Sequence, residues 1–279
     1  MSGKATGGLT QPIGVFDSGI GGLSILQALR SEMPSEDFVY IADSGHAPYG
    51  ERDAGHVIER SHTITNLLRQ HHHIQLLVVA CNTATALAID VLRRENPDFP
   101  IVGVEPALKP AAALTRTGHV GVMATRGTLN SSRFRALLKT VNHQAQFISQ
   151  PCDGLAEAIE QNVHTDNTGK LAALCTQYTK AIGPFGHQPG QIDTLVLGCT
   201  HYPFVQDYLH DLVGQTIQFI STGEPVARQT RRLLQSANDG PRENRLGQIT
   251  MGTTGQAAHL KAAAEQWLHW QGNVESLLI

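Results

Sequence analysis

The hydrophobic pattern along the chain alternates between two kinds of segment. Short apolar runs rich in Val and Ile recur at "IGVFDSG", "DFVYIADS", "LLVVACNT", "PIVGVEPA", "HVGVMATRG", "AQFISQPCD", "TLVLGCTH" and "TIQFIST", each closed by small or polar residues. Unbroken apolarity over strand length predicts strands buried on both faces, as in a parallel sheet. Between them lie stretches with apolar residues at helical spacing: "GGLSILQALRSEM", "RSHTITNLLRQHHH", "ATALAIDVLRREN", "TLNSSRFRALLKTV" and "GKLAALCTQYTKAI". Strands alternating with helices predict an α/β fold, mainly parallel sheet with helices on its faces. Ligands of such sheets collect at the carboxyl ends of the strands, where the polar closures fall.

The pattern also repeats at long range. "IGVFDSGIGGLS" from Ile13 has the shape of "VGVMATRGTLNS" from Val120, and "LLVVACNT" near Cys81 has the shape of "TLVLGCTH" near Cys199. A spacing of this length is too great for a solenoid and predicts two similar lobes with an active site in the cleft between them. Pro-punctuated connections, "EPALKPAAALTRTG" and "STGEPVARQ", place lobe one at residues 12–108, completed by 222–279, and lobe two at 109–221. The last amphipathic stretch, "GQAAHLKAAAEQWLHW", shows no strand after it and is expected to pack back on lobe one.

Composition narrows the classes. The 279 residues are 41% apolar and 16% charged, so this is a globular chain with room for a real core. A formal charge of -3 carries no footprint for nucleic acid, and no apolar run reaches membrane-span length. The opening "MSGKATGGLTQP" is polar and reads as a loose leader without the apolar stretch of a signal peptide. With no export signal, Cys81, Cys152, Cys175 and Cys199 are expected to be free thiols in a cytoplasmic protein, and none has zinc-site spacing. The run His71–His73 closes a helix, where polar or positive side chains suit the dipole, and needs no metal. Cys175, mid-helix in "LAALCTQY", is a packing residue.

Two thiols at the ends of matching strands invite chemistry. Each precedes the start of a helix or turn, where exposed N–H groups lower a thiol's pKa, so both are expected to be acidic. Each alone could equally be a small buried residue. Facing one ligand from two lobes, they suit removal of a proton from one face of a carbon and its return to the other.

The motifs "DSGIGG" (17–22), "PYG" (48–50), "ACNTATA" (80–86) and "GCTHYP" (198–203), in this order, resemble those of the glutamate racemases of the aspartate/glutamate racemase superfamily. The resemblance runs from about residue 12 to 270. It implies a cofactor-independent isomerase, using neither metal nor pyridoxal phosphate, that interconverts L- and D-glutamate for peptidoglycan. Cys81 would take the proton of D-glutamate and Cys199 that of L-glutamate, with Asp17 assisting Cys81 and His201 assisting Cys199. Asn82, Thr83 and Thr200 would hold the α-carboxylate and amino group, and Ser18, Pro48, Tyr49 and Gly50 the side-chain carboxylate. A homodimer would be usual. On the residues alone Asp17 could be a helix cap and His201 a satisfied core histidine.

Two positions depart from the family pattern. "CDGLAEAIE" keeps Cys152 and Glu160 but has Asp153 where proline is common, so Glu160 is either an acid beside His201 or a solvated helix glutamate. "FISTG" places Ser221 where an acidic residue is common. Competing readings are a racemase for aspartate or another amino acid and a non-catalytic glutamate-binding regulatory protein.

Overall fold

The structure, a computed structural model, describes residues 11–163, 168–237 and 245–279, so most of the expected leader lies outside the described residues. The chain runs β1 (Ile13–Asp17), α1 (Leu23–Glu32), β2 (Phe38–Ala42), α2 (Ala54–His71), β3 (Leu76–Val79), α3 (Asn82–Glu95), β4 (Ile101–Gly103) and α4 (Leu108–Leu114). It continues with β5 (His119–Ala124), α5 (Arg126–Asn130), α6 (Ser132–Lys139), β6 (Gln146–Pro151), α7 (Leu155–Asn162), α8 (Thr168–Ile182), β7 (Thr194–Gly198), α9 (Gln206–Val213) and β8 (Gln218–Ile220). Last come α10 (Gly223–Ala237), β9 (Ile249–Thr253), α11 (Ala257–Leu268) and β10 (Val274–Ser276).

The strands form two sheets, ordered β10-β9-β2-β1-β3-β4 and β6-β5-β7-β8, with parallel ladders throughout. The run β2-β1-β3-β4 of the first sheet has the same order as the whole second sheet, so the sequence repeat is a repeat of topology. Strand periodicity explains the continuous apolar runs. In the first sheet Ile13, Val15, Tyr40 and Val78 face α1, α10 and α11, while Phe16, Ile41, Leu77 and Val79 face α2 and α3. In the second, Val120, Val122 and Val196 lie against α4 and α6, and Met123, Leu195 and Leu197 against α7, α8 and α9. Both faces being covered, each of these side chains contributes on the order of 2 kcal/mol of burial.

Three expectations need correction. A strand does follow the last amphipathic helix: β10 pairs with β9 at the sheet edge, and its sequence "VES", partly exposed, has too little apolar content to announce it. α11 itself packs on the first sheet as expected, with Leu260, Ala263, Ala264 and Leu268 in that core. The single helix expected over "TLNSSRFRALLKTV" is two, because Ser131 takes an extended backbone and caps α6 through its hydroxyl, which accepts from Phe134 N. And α2 starts earlier than its apolar pattern, at Ala54, where the Asp53 side chain accepts from His56 N. His71 ends α2 as expected, and Cys175 is buried in the second lobe's core.

Candidate active site

Between the carboxyl ends of the two sheets lies a cavity of about 470 Å³. Both thiols line it. Cys81 follows β3, takes an extended backbone and caps α3 with its sulfur, which accepts from Ala84 N at 3.5 Å. Cys199 follows β7, the equivalent strand, but no α-helix starts there: a short 3-10 turn over Tyr202–Val205 intervenes before α9. Ser18, Pro48, Tyr49, Gly50, Asn82 and Thr83 also line the cavity from the first lobe. Glu160, Thr200 and His201 line it from the second. Asp17 does not; it is wholly buried beneath.

On the Cys81 side the thiol donates to Ser18 Oγ at 3.7 Å, and Ser18 donates to Asp17 Oδ1 at 3.0 Å. Asp17 Oδ2 accepts from the Thr200 hydroxyl at 2.8 Å, so the chain of polar groups crosses from one lobe to the other. Asp17 does not cap α1, whose N-terminus at Gly22 has no side-chain cap. Burial raises the Asp17 carboxyl above its usual value, against the opposing pull of His201, Thr200 and Ser18. Burial, then Asp17, push the Cys81 thiol well up, reversing the expected acid shift. The helix terminus loses because it is worth about 1 kcal/mol, while desolvating a charge costs several.

The Cys199 side carries an imidazole. His201 Nδ1 lies 3.6 Å from the Cys199 sulfur, and His201 Nε2 lies 2.7 Å from Glu160 Oε1. Burial alone would lower His201, but the thiol and the carboxylate on its two nitrogens hold it well above the ordinary imidazole value. Burial alone would raise Glu160, but hydrogen bonds from His201 and His259 bring it well below the usual carboxylate range. Glu160 is thus a largely buried partner of His201, 15% exposed, and not a solvated helix residue. Ile20 N donates to Glu160 Oε1 at 2.7 Å, and a Cβ at Gly19 would collide with the same carboxylate. A Cβ at Gly21 would likewise strike the His201 ring, so the glycines of "DSGIGG" let this loop lie against the opposite lobe.

The remaining residues carry surprises of orientation. Tyr49 turns its hydroxyl away from the cavity to donate to Asp43 Oδ2 at 2.5 Å, leaving the backbone of the 3-10 turn Tyr49–Glu51 to face a ligand. Asp43 is buried in a bidentate pair with Arg60 (2.9 and 3.0 Å) and accepts from Thr254 at 2.8 Å, a support under this turn that the motifs did not reveal. Asn82 Nδ2 donates to Val104 O, while Oδ1 is buried with no hydrogen-bond partner among the described residues. The Thr83 hydroxyl meets that of Thr125 across the cleft at 2.9 Å. Asp153, in place of proline, pairs with Arg126 on the cavity's outer edge at 2.5 Å, and Ser221 is exposed.

A family model described as Asp/Glu/hydantoin racemase matches residues 23–230. The chain belongs to this racemase family. It is 50% identical over 229 residues to the glutamate racemase of Ectopseudomonas mendocina, covering 80% of this chain and 82% of that one. With the glutamate racemase of Pseudomonas aeruginosa it shares 46% over 224 residues, again 80% and 82% of the two chains. Among solved structures, a Bacillus anthracis glutamate racemase superposes with a TM-score of 0.83 at 30% identity, over 96% of this chain and 98% of that one. The Escherichia coli glutamate racemase, solved with L-glutamate and the activator UDP-MurNAc-Ala, gives 0.80 at 30% identity over the same shares. The two-lobed α/β architecture is therefore that of the racemase family.

Among the described residues that the motifs missed, Thr125 and His259 line the cavity with polar side chains and touch predicted site residues. Thr125 occupies in the second lobe the place of Ser18 in the first, directly after the equivalent strand, so the repeat itself carried that signal. His259 had no signal of this kind.

Proposed function

We propose that the chain is a glutamate racemase, and that Cys81 and Cys199 perform the reaction as two opposed acid/base thiols without a cofactor. The observation that carries this reading is the placement of the two sulfurs after equivalent strands, β3 and β7, on the walls of one cavity. In the L to D direction the Cys199 thiolate takes the α-proton and leaves a carbanion. The Cys81 thiol gives its proton to the opposite face, so the turnover ends with Cys199 protonated and Cys81 as thiolate. The reverse direction exchanges these roles.

Each supporting group has a part. A charged imidazole beside a sulfur favours the anion, so His201, backed by Glu160, readies Cys199 as a base. Cys81, its thiol pushed up by burial and Asp17, is an acid at rest, with Ser18 relaying between it and Asp17. The N-terminus of α3, with Asn82 and Thr83, suits the α-carboxylate, and the unpartnered Asn82 Oδ1 suits the ammonium. Donors around the carboxylate stabilise charge as it develops on the carbon. Ser18, Thr200 and the backbone of Pro48, Tyr49 and Gly50 complete the site, the latter holding the distal carboxylate.

As part of this reading, lobe one comprises residues 12–108 with 222–279 and lobe two 109–221, a division supported by the membership of the two sheets. D-glutamate production in the cytoplasm for peptidoglycan is the physiological role we assign; no described helix is long and apolar enough to cross a membrane. The deciding experiment follows the circular dichroism of L- or D-glutamate with purified protein and no added cofactor. Both enantiomers should decay to zero signal. A fixed signal would overturn the reading, and equal kcat/KM for aspartate would remove glutamate from it, since unpaired polar groups in the distal clamp discriminate strongly.

A further inference from the structure

Glu160 has three polar neighbours besides the cavity, and they come from both lobes. Oε1 faces His201 Nε2 of the second lobe and Ile20 N of the first, both at 2.7 Å. Oε2 faces His259 Nε2 at 3.4 Å. His259 stands on α11, in the part of the first lobe that the chain completes last, and lines the cavity. A glutamate has three torsions, and contacts at one oxygen leave the carboxylate plane free to turn. A second contact at the other oxygen fixes that plane. We infer that His259 is a positioning residue for the Cys199 half of the site: from the first lobe it holds Glu160 so that Oε1 stays on His201.

The consequence runs down a short series of contacts. His259 orients Glu160, Glu160 sustains the charge on His201, and His201 faces the Cys199 sulfur at 3.6 Å. Ile20 and His259 belong to one lobe and Glu160, His201 and Cys199 to the other, so the first lobe holds the Glu160 carboxylate in place from across the cleft. Cys81 is reached through Ser18 and Asp17 and should not feel the loss of His259. The weight of His259 in turnover rests on the two-thiol reading, whereas its hold on Glu160 does not.

The test uses the full chain with His259→Leu, His259→Asn and His259→Gln, each checked by thermal melting. Iodoacetamide alkylation of Cys199 and Cys81 is followed separately by peptide mass spectrometry, since the thiolate is the reacting form. His259→Leu and His259→Asn, the second too short to reach, should slow alkylation of Cys199 by about 3- to 10-fold, the range of one hydrogen bond. The kcat for L-glutamate should fall by a similar factor with KM little changed. Cys81 alkylation should hold steady, and His259→Gln, which can still donate to Oε2, should restore Cys199. Unchanged Cys199 reactivity, an equal change at both thiols, or failure of glutamine to restore would overturn the assignment. If the Cys199-specific effect holds while wild-type protein does not racemise glutamate, the positioning role stands and the racemase reading falls.

Discussion

Around Cys81 the neighbours are short: the Ser18 hydroxyl, Asp17 behind it and the first turn of α3. Around Cys199 there is no α-helix terminus, and an imidazole backed by a carboxylate stands beside the sulfur. The two strands that present these thiols occupy the same place in the same strand order. Equivalent backbone has thus been dressed with unlike chemistry. A helix terminus of about 1 kcal/mol does not make a buried thiol acidic beside a buried carboxyl. One thiol meets a hydroxyl backed by a carboxyl, and the other an imidazole backed by a carboxylate.

The largest effect should come from erasing either member of the pair. Cys81→Ser or Cys199→Ser should lower racemisation by on the order of 10³-fold or more, because a serine hydroxyl stays protonated. In D2O the wild type should place deuterium on the newly formed antipode, read by NMR. A folded single mutant that racemised near the wild-type rate would reduce its cysteine to packing and leave the strand repeat as a relic of duplication.

Next in size is the imidazole that distinguishes the two sides. His201→Asn should cost about 10²-fold in kcat and Glu160→Gln about 10-fold, within the ordinary span of general acid/base assistance and one charged hydrogen bond. Neither should alter Cys81 alkylation. If both thiols lost reactivity together, the two sides would be one electrostatic unit.

A smaller effect reverses sign on the other side. Asp17 raises the Cys81 thiol after burial has done so, hence Asp17→Asn should shift Cys81 alkylation to lower pH while turnover falls. Cys81 made more acidic, yet slower, would separate the resting charge of the site from its service in proton return. No movement of the alkylation profile would remove Asp17 from the Cys81 environment.

The smallest effect is on folding. His201 has its folded value above the unfolded 6.5, so its contribution is full below about pH 6.5 and lost as pH rises through the raised value. Glu160 has its folded value below the unfolded 4.5, so its contribution is present above about pH 4.5 and lost as pH falls through the lowered value. The melting temperature lost in Glu160→Gln should therefore be greatest between these two limits and shrink on either side. A loss that is flat across the acid and neutral range would deny the pair its charge.

The inner strands were legible because burial on both faces leaves an unbroken apolar run, while the partly exposed edge strands β6 and β8 showed through Phe147–Ile148 and Phe219–Ile220. β9, "ITMGT", carries a glycine and two threonines, and β10 has one apolar residue, so neither stood out. Within the site, the thiols announced themselves through the repeat, and the resemblance supplied roles for most of the rest. Orientation was hidden: nothing in "PYG" says that the Tyr49 hydroxyl turns to Asp43, and nothing in an amphipathic stretch says that His259 meets Glu160. Such pairings are made by tertiary contact between distant segments, which no local pattern records.

The order in which the strands leave the ribosome gives the first sheet a history different from the second. The second sheet is contiguous and can close once β8 has emerged, whereas β2 waits for β9 to take its place beside it. Until Ile249 has been synthesised, a nascent chain carries the bare edge of β2, a template on which another chain could add a strand. Shielding of that edge during translation, more than the speed of any later step, should govern how much of the product escapes aggregation. Glu160 and His201 meet early in this history, and His259 joins them only with the final helix.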